Sequence, residues 1–528
     1  MNTFEEAMKK VGILNETENG ALSYETSMKP LVDCNFRVAD YRRFIGNPNI
    51  YYSDIFISDI KKSFKSDELM TFLWLFFLRD CRGGLGERQL FRNSMIWLSD
   101  TNPAMVLSVM DKIPSYGRWD DLIEITLGTN NETVFKTGVN YIKDELNMSY
   151  ARMDKNLDIS LLAKWMPSIN TSSKETVKKA KRLCNALGYT EKEYRVKLSS
   201  LRKYLNVTER NLSLKEYDKI EYQSVPAKAA MNYSEAFLRH DTERYGEYIK
   251  KVISGEVSSK ISGLDPYVIL RKEVEAKEEA QKLLYESIWN NFVKNGFPDA
   301  EQFGKAICVV DTSGSMTCPA DDKYPNGTRV IDIAISLGLY FSQKISGPFH
   351  DKMITFSARP SWIDVSKCNT LHEKYFKVFE SDWNMNTNIE AVFNLLLELA
   401  KSDRVKEEDM PDTLLIVSDM QFDDCVMGSS RIQSIMDNMA DRWHAAGYKL
   451  PKLVFWAVRG GRNVPMIECG DNGLALISGY NQNAAKVGLS EKKDPEEALK
   501  DVLLSDRYQP IKTAYERYKR CTNGIIEM

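Results

Sequence analysis

The chain has 528 residues, of which 43% are hydrophobic and 27% charged, and its 71 basic and 74 acidic residues leave a formal net charge of −3. This composition excludes a disordered or fibrous protein and a uniformly basic nucleic-acid-binding protein, and the length allows two or more hydrophobic cores.

The amino-terminal residues lack the basic and apolar regions of a signal peptide. The apolar run at residues 72–78 is followed at once by Arg79 and Asp80, and it is far shorter than the ~20 residues that span a bilayer. The nine cysteines form no Cys-x-x-Cys pair, a pattern typical of reduced thiols rather than of a disulfide framework. We therefore expect an intracellular, cytoplasmic protein.

Helical periodicity of apolar residues dominates the first 300 residues. The segments with this pattern are 68–77, 89–98, 104–110, 120–127, 134–146 and 174–187, and turn signals such as Asn102-Pro103 separate them. Successive short helices favour an α-solenoid or a related HEAT-like helical array, although no repeat period is visible. We assign residues 1–300 to this helical array.

Three glycines lie between charged residues at positions 79–88, directly after a strongly apolar helix. A phosphate-binding loop would continue with Gly-Lys-Ser/Thr, and a dinucleotide fingerprint would have a third spaced glycine. Neither is present. We interpret the segment as a tight turn between helices, with arginines that either pair locally or face a partner.

Residues 161–210 contain twelve Lys or Arg, four Glu and no Asp, with tyrosines and Trp165 interleaved. Basic side chains neutralise phosphates and aromatic rings stack on unpaired bases, so this basic segment is a candidate RNA-binding region. The alternative is a solvated helix face with aromatic residues in the core. The candidate RNA-binding residues are Lys178, Lys179, Lys181, Arg182, Arg195, Lys197, Arg202 and Lys203.

After residue 300 the pattern alternates between strands and helices. Strands are predicted at 307–310, 353–356, 414–417, 453–458 and 474–477, and helices at 329–345, 389–400 and 432–446. Such alternation implies a doubly wound parallel sheet with its site at the carboxyl ends of the strands. We assign residues 301–528 to this α/β domain and to carboxyl-terminal helices.

Oxygen-bearing side chains follow two of these strands. Asp311, Ser313 and Ser315 come directly after the first strand, Thr387 precedes a predicted helix, and Asp419 ends a later strand. Hard oxygen ligands of this kind suit Mg²⁺. A haloacid-dehalogenase phosphatase would need Asp at position 313, and Ser313 also interrupts the Asp-Thr-Gly of an aspartic protease. A capped turn without metal is the remaining alternative.

The five positions resemble the metal-ion-dependent adhesion site (MIDAS) of von Willebrand factor A domains, and the resemblance covers roughly residues 301–490. It implies that Asp311, Ser313, Ser315, Thr387 and Asp419 hold Mg²⁺, or another divalent cation such as Mn²⁺ or Ca²⁺. It also implies that a partner protein fills the open coordination position with an Asp or Glu carboxylate. The chain departs from the family at residues 317–327, an insert that covers the ion, donates Asp321 or Asp322 to it, or is a solvated loop.

The helical half contains Gly-Arg-Trp-Asp-Asp-Leu at 117–122 and Ala-Lys-Trp-Met-Pro-Ser at 163–168. Together with the von Willebrand A-like half, these segments resemble an uncharacterised family that joins the two regions. The chain is also distantly similar to the Ro autoantigen family, whose TROVE module is helical and binds RNA.

These resemblances imply a non-enzymatic, RNA-binding ribonucleoprotein scaffold, with single-stranded or structured RNA and an acidic protein contact as partners. The alternative is a protein-only interaction scaffold. A metal-dependent hydrolase would need a nucleophile or general base beyond the ion's ligands, and none is visible.

Overall fold

The structure is a computed structural model that describes residues 14–16, 22–43, 51–297, 304–321, 327–356, 359–381, 389–420, 432–459 and 473–522. Its strands are β1 (Leu14–Glu16), β2 (Leu22–Tyr24), β3 (Ala306–Asp311), β4 (Lys352–Phe356), β5 (Trp362–Asp364), β6 (Thr413–Ser418), β7 (Lys452–Ala457) and β8 (Leu474–Ser478).

The helices up to residue 253 are α1 (Pro30–Phe36), α2 (Val38–Arg43), α3 (Tyr51–Ser66), α4 (Glu68–Arg79), α5 (Arg88–Thr101), α6 (Pro103–Leu107), α7 (Ile113–Tyr116), α8 (Trp119–Gly128), α9 (Glu132–Met153), α10 (Leu162–Trp165), α11 (Lys174–Leu187), α12 (Glu191–Tyr204), α13 (Thr208–Ser213), α14 (Ala227–His240) and α15 (Thr242–Ile253). Those that follow are α16 (Pro266–Glu275), α17 (Glu279–Asn295), α18 (Val330–Lys344), α19 (Leu371–Phe379), α20 (Ile389–Ser402), α21 (Ile432–Ala445), α22 (Ala485–Gly488), α23 (Pro495–Leu503) and α24 (Gln509–Thr522).

The chain forms two compact units, each made of two separate stretches of sequence. The α/β unit comprises residues 1–71 and 252–505, and the helical unit comprises residues 72–251 and 506–528.

A six-stranded sheet in the order β5-β4-β3-β6-β7-β8 forms the centre of the α/β unit. All neighbouring strands are parallel except β5, which pairs antiparallel with β4. Strand β3 is buried along its whole length, as expected for an inner strand that helices cover. The structure confirms the predicted fold class and adds the short edge strand β5, which the sequence pattern did not reveal.

The order of the strands places a topological switch point between β3 and β6. From β3 the chain crosses through α18 to β4 on one side, whereas β6, β7 and β8 follow on the other side. In doubly wound sheets, ligands bind outside the carboxyl ends of the strands at such a point. The fold therefore brings the residues that directly follow β3 and β6 together at the position where ligands are expected.

Several helices of the amino-terminal half belong to the α/β unit. Helices α16 and α17 pack with α18, and α1 packs against β8, where the Asn35 side-chain amide donates to the Leu476 carbonyl at 3.3 Å. Arg37 and Asp59 form a buried ion pair of 3.0 Å in the same unit. The compact units are thus interleaved in sequence and do not follow the division between residues 300 and 301.

The helical unit has its apolar core around α4, whose residues from Phe72 to Leu78 are all fully buried. Two buried arginines share one carboxylate, since Asp121 lies 2.6 Å from Arg79 and 2.7 Å from Arg92. At the carboxyl-terminal end, the Arg507 guanidinium donates to Asp80 at 2.8 Å. The segment that begins at residue 506 therefore completes this unit.

The glycine-rich segment after α4 is a tight turn between helices. The backbone carbonyl of Phe77 accepts from Leu85 N at 3.0 Å, and a Cβ atom on Gly84 would lie only 2.0 Å from the same carbonyl oxygen. Gly86 adopts a φ of +74°, which favours glycine. Close backbone approach thus explains these glycines.

No helix among the described residues is long and apolar enough to cross a membrane.

Candidate metal centre and basic segment

The first candidate site lies at the switch point of the sheet. Asp311 is the last residue of β3, and Asp419 directly follows β6. Because Val310 pairs with Val417 in the parallel register, both carboxylates leave the sheet at the same edge. Asp311 is fully buried and Asp419 is 2% exposed.

Short hydrogen bonds organise the loop around Asp311. One carboxylate oxygen accepts from Ser313 N at 2.9 Å, and the other accepts from the Ser418 hydroxyl at 2.6 Å. The hydroxyl oxygens of Ser313 and Ser315 are 3.1 Å apart. The structure therefore brings Asp311, Ser313 and Ser315 together and adds Ser418, which was not among the candidate residues predicted from the sequence.

Two buried carboxylates near one another are costly to ionise. Burial, reinforced by the charge of Asp419, raises the pKa of Asp311 to about 7. A cation between the two carboxylates would reverse this effect, because an opposite charge favours the ionised form. This electrostatic arrangement fits a divalent cation.

The side chains at this position offer hard oxygen donors, the type that Mg²⁺ prefers. Asp311, Ser313, Ser315 and Asp419 offer hard oxygens, and Mg²⁺ accepts few carboxylates together with hydroxyl and water oxygens. Among the described residues there is no group of three or more His, Cys, Asp or Glu placed to hold a metal. Thr387 lies outside the described residues, so its predicted position as a ligand stays a prediction.

The described residues at the two ends of the insert after the last serine are hydrogen-bonded to one another. Ala320 N donates to the Thr328 carbonyl at 2.8 Å, and Val330 N donates to the Cys318 carbonyl at 3.0 Å. The hydroxyl of Tyr480 donates to the Ala320 carbonyl at 2.9 Å. These bonds hold both ends of the insert against the α/β unit and bring its base next to α18.

In the helical unit, α11 and α12 carry the eight candidate RNA-binding residues. Two lysines form ion pairs, Lys179 with Glu124 at 2.9 Å and Lys181 with Glu191 at 2.9 Å. Arg182 donates to the Leu127 carbonyl at 2.6 Å. These three side chains therefore have intramolecular partners.

Two of the candidate RNA-binding residues on α12, Arg202 and Lys197, also contact other side chains or carbonyls of the protein. The Arg202 guanidinium donates to the carbonyls of Ala163 and Met166 and to the Ser168 hydroxyl, at 2.8, 2.6 and 2.8 Å. It thus fixes the segment after α10. The Lys197 ammonium lies 4.4 Å from the centre of the Tyr150 ring.

Arg195 donates through Nε to the Glu191 carbonyl at 3.3 Å, and Arg195 is exposed. Lys178 and Lys203 are exposed as well. The positive charge of the basic segment is therefore divided between structural contacts and a smaller number of exposed cations.

A cleft lies between the segment after α10 and helices α12 and α13. Its volume is about 1,190 Å³, and its lining contains five cations and one carboxylate. The cations are Lys164, Lys192, Arg195, Arg202 and Arg210, and the carboxylate is Glu209. Only Arg195 and Arg202 of these five cations were candidates from the sequence, because residues from three segments form one wall only in the fold.

The protein is thus of the α and α/β class, with one α/β unit and one helical unit. The α/β unit carries the candidate divalent-cation centre at the carboxyl ends of its strands. Residues 305–522 match the family model "Domain of unknown function (DUF7788)", and residues 170–295 match "Domain of unknown function (DUF2828)". Each model matches less than half of the chain, the first within residues 301–528 and the second within residues 1–300. The two matches confirm the predicted resemblance to uncharacterised domain families.

The chain is similar to "Uncharacterized protein L728" of Acanthamoeba polyphaga mimivirus, with 28% identity over 532 residues that cover 94% of this chain and 88% of the relative. It also has a distant structural similarity to the Ro (RSR) protein of Deinococcus radiodurans, with 14% identity and a TM-score of 0.37 over 78% of this chain and 93% of that one. That TM-score is too low to establish a common overall fold.

Proposed function

We propose that the protein is a non-enzymatic scaffold whose α/β unit binds a divalent cation, Mg²⁺ in the first place, and offers it to a carboxylate of a partner protein. The observation that supports this is the fully buried Asp311 beside Asp419 at the switch point of the sheet. A carboxylate pair at this position gains from a cation that neutralises both charges.

The proposal gives each residue a role at the ion. Asp311 and Asp419 supply the negative charge, and Ser313 and Ser315 supply hydroxyl oxygens. Thr387 would complete the protein ligands, as the resemblance implies. Mg²⁺ keeps several water ligands in proteins, and one of these can be exchanged for a partner's Asp or Glu.

Mg²⁺ binding tests the proposal directly. Isothermal titration of the wild-type protein with MgCl₂ should show binding that Asp311→Ala abolishes while circular dichroism stays unchanged. Asp403→Ala, the same change at an exposed position of the α/β unit, is the matched control and should bind as the wild type does. An unchanged Mg²⁺ affinity in Asp311→Ala would contradict the site assignment.

RNA binding by the helical unit is the second candidate function. The charge excess of residues 161–210 supports it, and Lys178 and Lys203 remain exposed on α11 and α12. We expect RNA affinity to fall steeply with salt, since each phosphate contact releases counterions. The side chains of Lys179, Lys181, Arg182 and Arg202 are used within the protein, so they are poor choices for this test.

The RNA test uses Lys178→Glu together with Lys203→Glu. This variant should bind a fluorescent oligoribonucleotide more weakly and with a smaller salt dependence than the wild type. Lys228→Glu with Lys250→Glu, an equal charge change at exposed positions elsewhere in the helical unit, is the control. Absent or salt-insensitive binding by the wild type would remove RNA and leave the protein-only scaffold.

A further inference from the structure

The cleft of the helical unit has the features of a docking site that is separate from the metal centre. Its volume of about 1,190 Å³ exceeds the ~300–1,000 Å³ of ordinary small-molecule pockets. Its lining residues on α12 include Lys192, Arg195, Val196, Ser199 and Arg202. Because these positions recur every three or four residues, one face of the helix forms the wall.

Exposed apolar side chains lie inside this cleft. Val196 is 56% exposed and Leu214 is 53% exposed, and both belong to the lining together with the half-buried Ile169 and Pro167. Apolar side chains grouped in a concave surface and surrounded by polar ones are typical of a binding site for another molecule.

The lining of the cleft contains more cations than carboxylates, and two of the cations, Lys192 and Arg195, are exposed. Lys164 lies 3.4 Å from Glu209, and Arg210 lies 3.1 Å from Glu216. Lys192 is exposed and forms no ion pair with the residues that the structure describes. Arg195 donates through Nε to the Glu191 carbonyl, and its guanidinium has two further nitrogens. The cleft therefore favours an acidic occupant.

The aromatic residues of the cleft do not offer free faces for stacking. The Arg118 guanidinium lies 4.7 Å from the Trp165 ring centre, and the Lys164 ammonium lies 5.7 Å from it. Tyr194 is 1% exposed, and its hydroxyl donates to the Pro167 carbonyl at 2.8 Å. Single-stranded nucleic acid is commonly held by stacking of its bases on aromatic rings, so aliphatic anchors suit this cleft better than bases.

We propose that the cleft binds a short acidic segment of a partner protein that carries aliphatic side chains between its carboxylates. The aliphatic side chains contact Val196 and Leu214, and the carboxylates lie near Lys192 and Arg195. This docking site goes beyond the proposed metal contact and does not depend on it.

The probe is a displayed library of random twelve-residue peptides, selected on the full-length protein in EDTA. Sequences that combine Asp or Glu with Leu, Ile or Val should be enriched. The best peptide, labelled with a fluorophore, is then measured by anisotropy. Lys192→Glu with Arg195→Glu should weaken its binding at least tenfold, and so should Val196→Asp.

A control distinguishes a local effect from a general effect of charge. Lys228→Glu with Lys250→Glu makes the same charge change at exposed positions outside the lining and should bind as the wild type does. Since Lys192, Arg195 and Val196 are exposed, their variants should keep the wild-type melting temperature.

Three results would overturn the proposal. They are the absence of enrichment for acidic aliphatic peptides, peptide binding that survives in both cleft variants, and binding of labelled oligo(U) that the cleft variant abolishes while no peptide binds. The last result would assign the cleft to RNA. None of them bears on Mg²⁺ binding at Asp311, so the metal proposal is judged separately.

Discussion

Replacing Asp311 by Asn should stabilise the protein in the absence of a divalent cation, and binding of a divalent cation by the wild type should cancel this advantage. Asn has nearly the same shape as Asp but carries no charge. In EDTA the wild-type protein must ionise Asp311 in a buried site beside Asp419 as the pH rises, and the Asn variant does not. With Mg²⁺ the wild type gains the free energy of cation binding, which the variant lacks.

The magnitude follows from the raised pKa. Burial and the charge of Asp419 raise the pKa of Asp311 from 3.8 to about 7, and one pKa unit corresponds to about 1.4 kcal/mol. The pKa of Asp311 is higher in the folded protein than in the unfolded chain, so the free energy of unfolding falls as the pH rises from 3.8 to about 7. The loss reaches about 4 kcal/mol at pH 8.

The hydrogen bonds of Asp311 and the binding of Mg²⁺ also contribute to the difference in stability. Asn should weaken the hydrogen bonds from Ser313 N and the Ser418 hydroxyl, at a cost of about 1 kcal/mol. In EDTA at pH 8 the variant should then be about 3 kcal/mol more stable, which corresponds to about 4 °C in melting temperature for a unit of this size. At a Mg²⁺ concentration of 100 times Kd, the wild type gains about 2.7 kcal/mol and the variant gains nothing.

Differential scanning calorimetry at pH 5 and pH 8, with EDTA or MgCl₂, measures all these terms. The advantage of Asp311→Asn in EDTA should shrink at pH 5, where the folded wild type keeps its proton. Asp403→Asn should behave as the wild type does throughout. The reasoning fails if Asp311→Asn is the less stable protein in EDTA at pH 8, or if Mg²⁺ stabilises both proteins equally.

Three further changes test other features. Burial raises the pKa of Glu273 to about 7, so wild-type stability should fall between pH 4.5 and 7, and Glu273→Gln should flatten this profile in calorimetry. Gly84→Ala should cost at least ~3 kcal/mol in urea unfolding, because its Cβ would meet the Phe77 carbonyl, whereas Gly86→Ala has open space and should cost only ~1–2 kcal/mol. Arg202→Lys should lose about 2 kcal/mol because a single ammonium nitrogen cannot reach the three acceptors that three guanidinium nitrogens contact; an unchanged urea midpoint would contradict the structural role of Arg202.

The sequence predicted the α/β architecture and the elements around the strand-end site closely. The helix expected at 329–345 is Val330–Lys344, and the strand expected at 414–417 lies within Thr413–Ser418. These elements have strong local signals, since a buried parallel strand is a short apolar run and an amphipathic helix repeats every three or four residues. The strand β5 has only three residues and no such signal.

The candidate RNA-binding residues show the limit of reasoning from composition. A cation in the sequence has no visible partner, but Lys179, Lys181 and Arg202 find theirs in other helices and loops. Conversely, the wall of the cleft combines residues of three segments that share no common pattern along the chain.

Because the order of strand, loop and helix is local, the residues that follow β3 and β6 could be predicted without a structure. Folding was needed to show that these residues meet at a switch point, that Ser418 bonds Asp311, and that residues 506–522 complete the helical unit. Apolar faces and buried charges must find partners, and the partner can be any distance away along the chain. Arg507 pairs with Asp80 across 427 positions, a contact for which neither segment contains a signal.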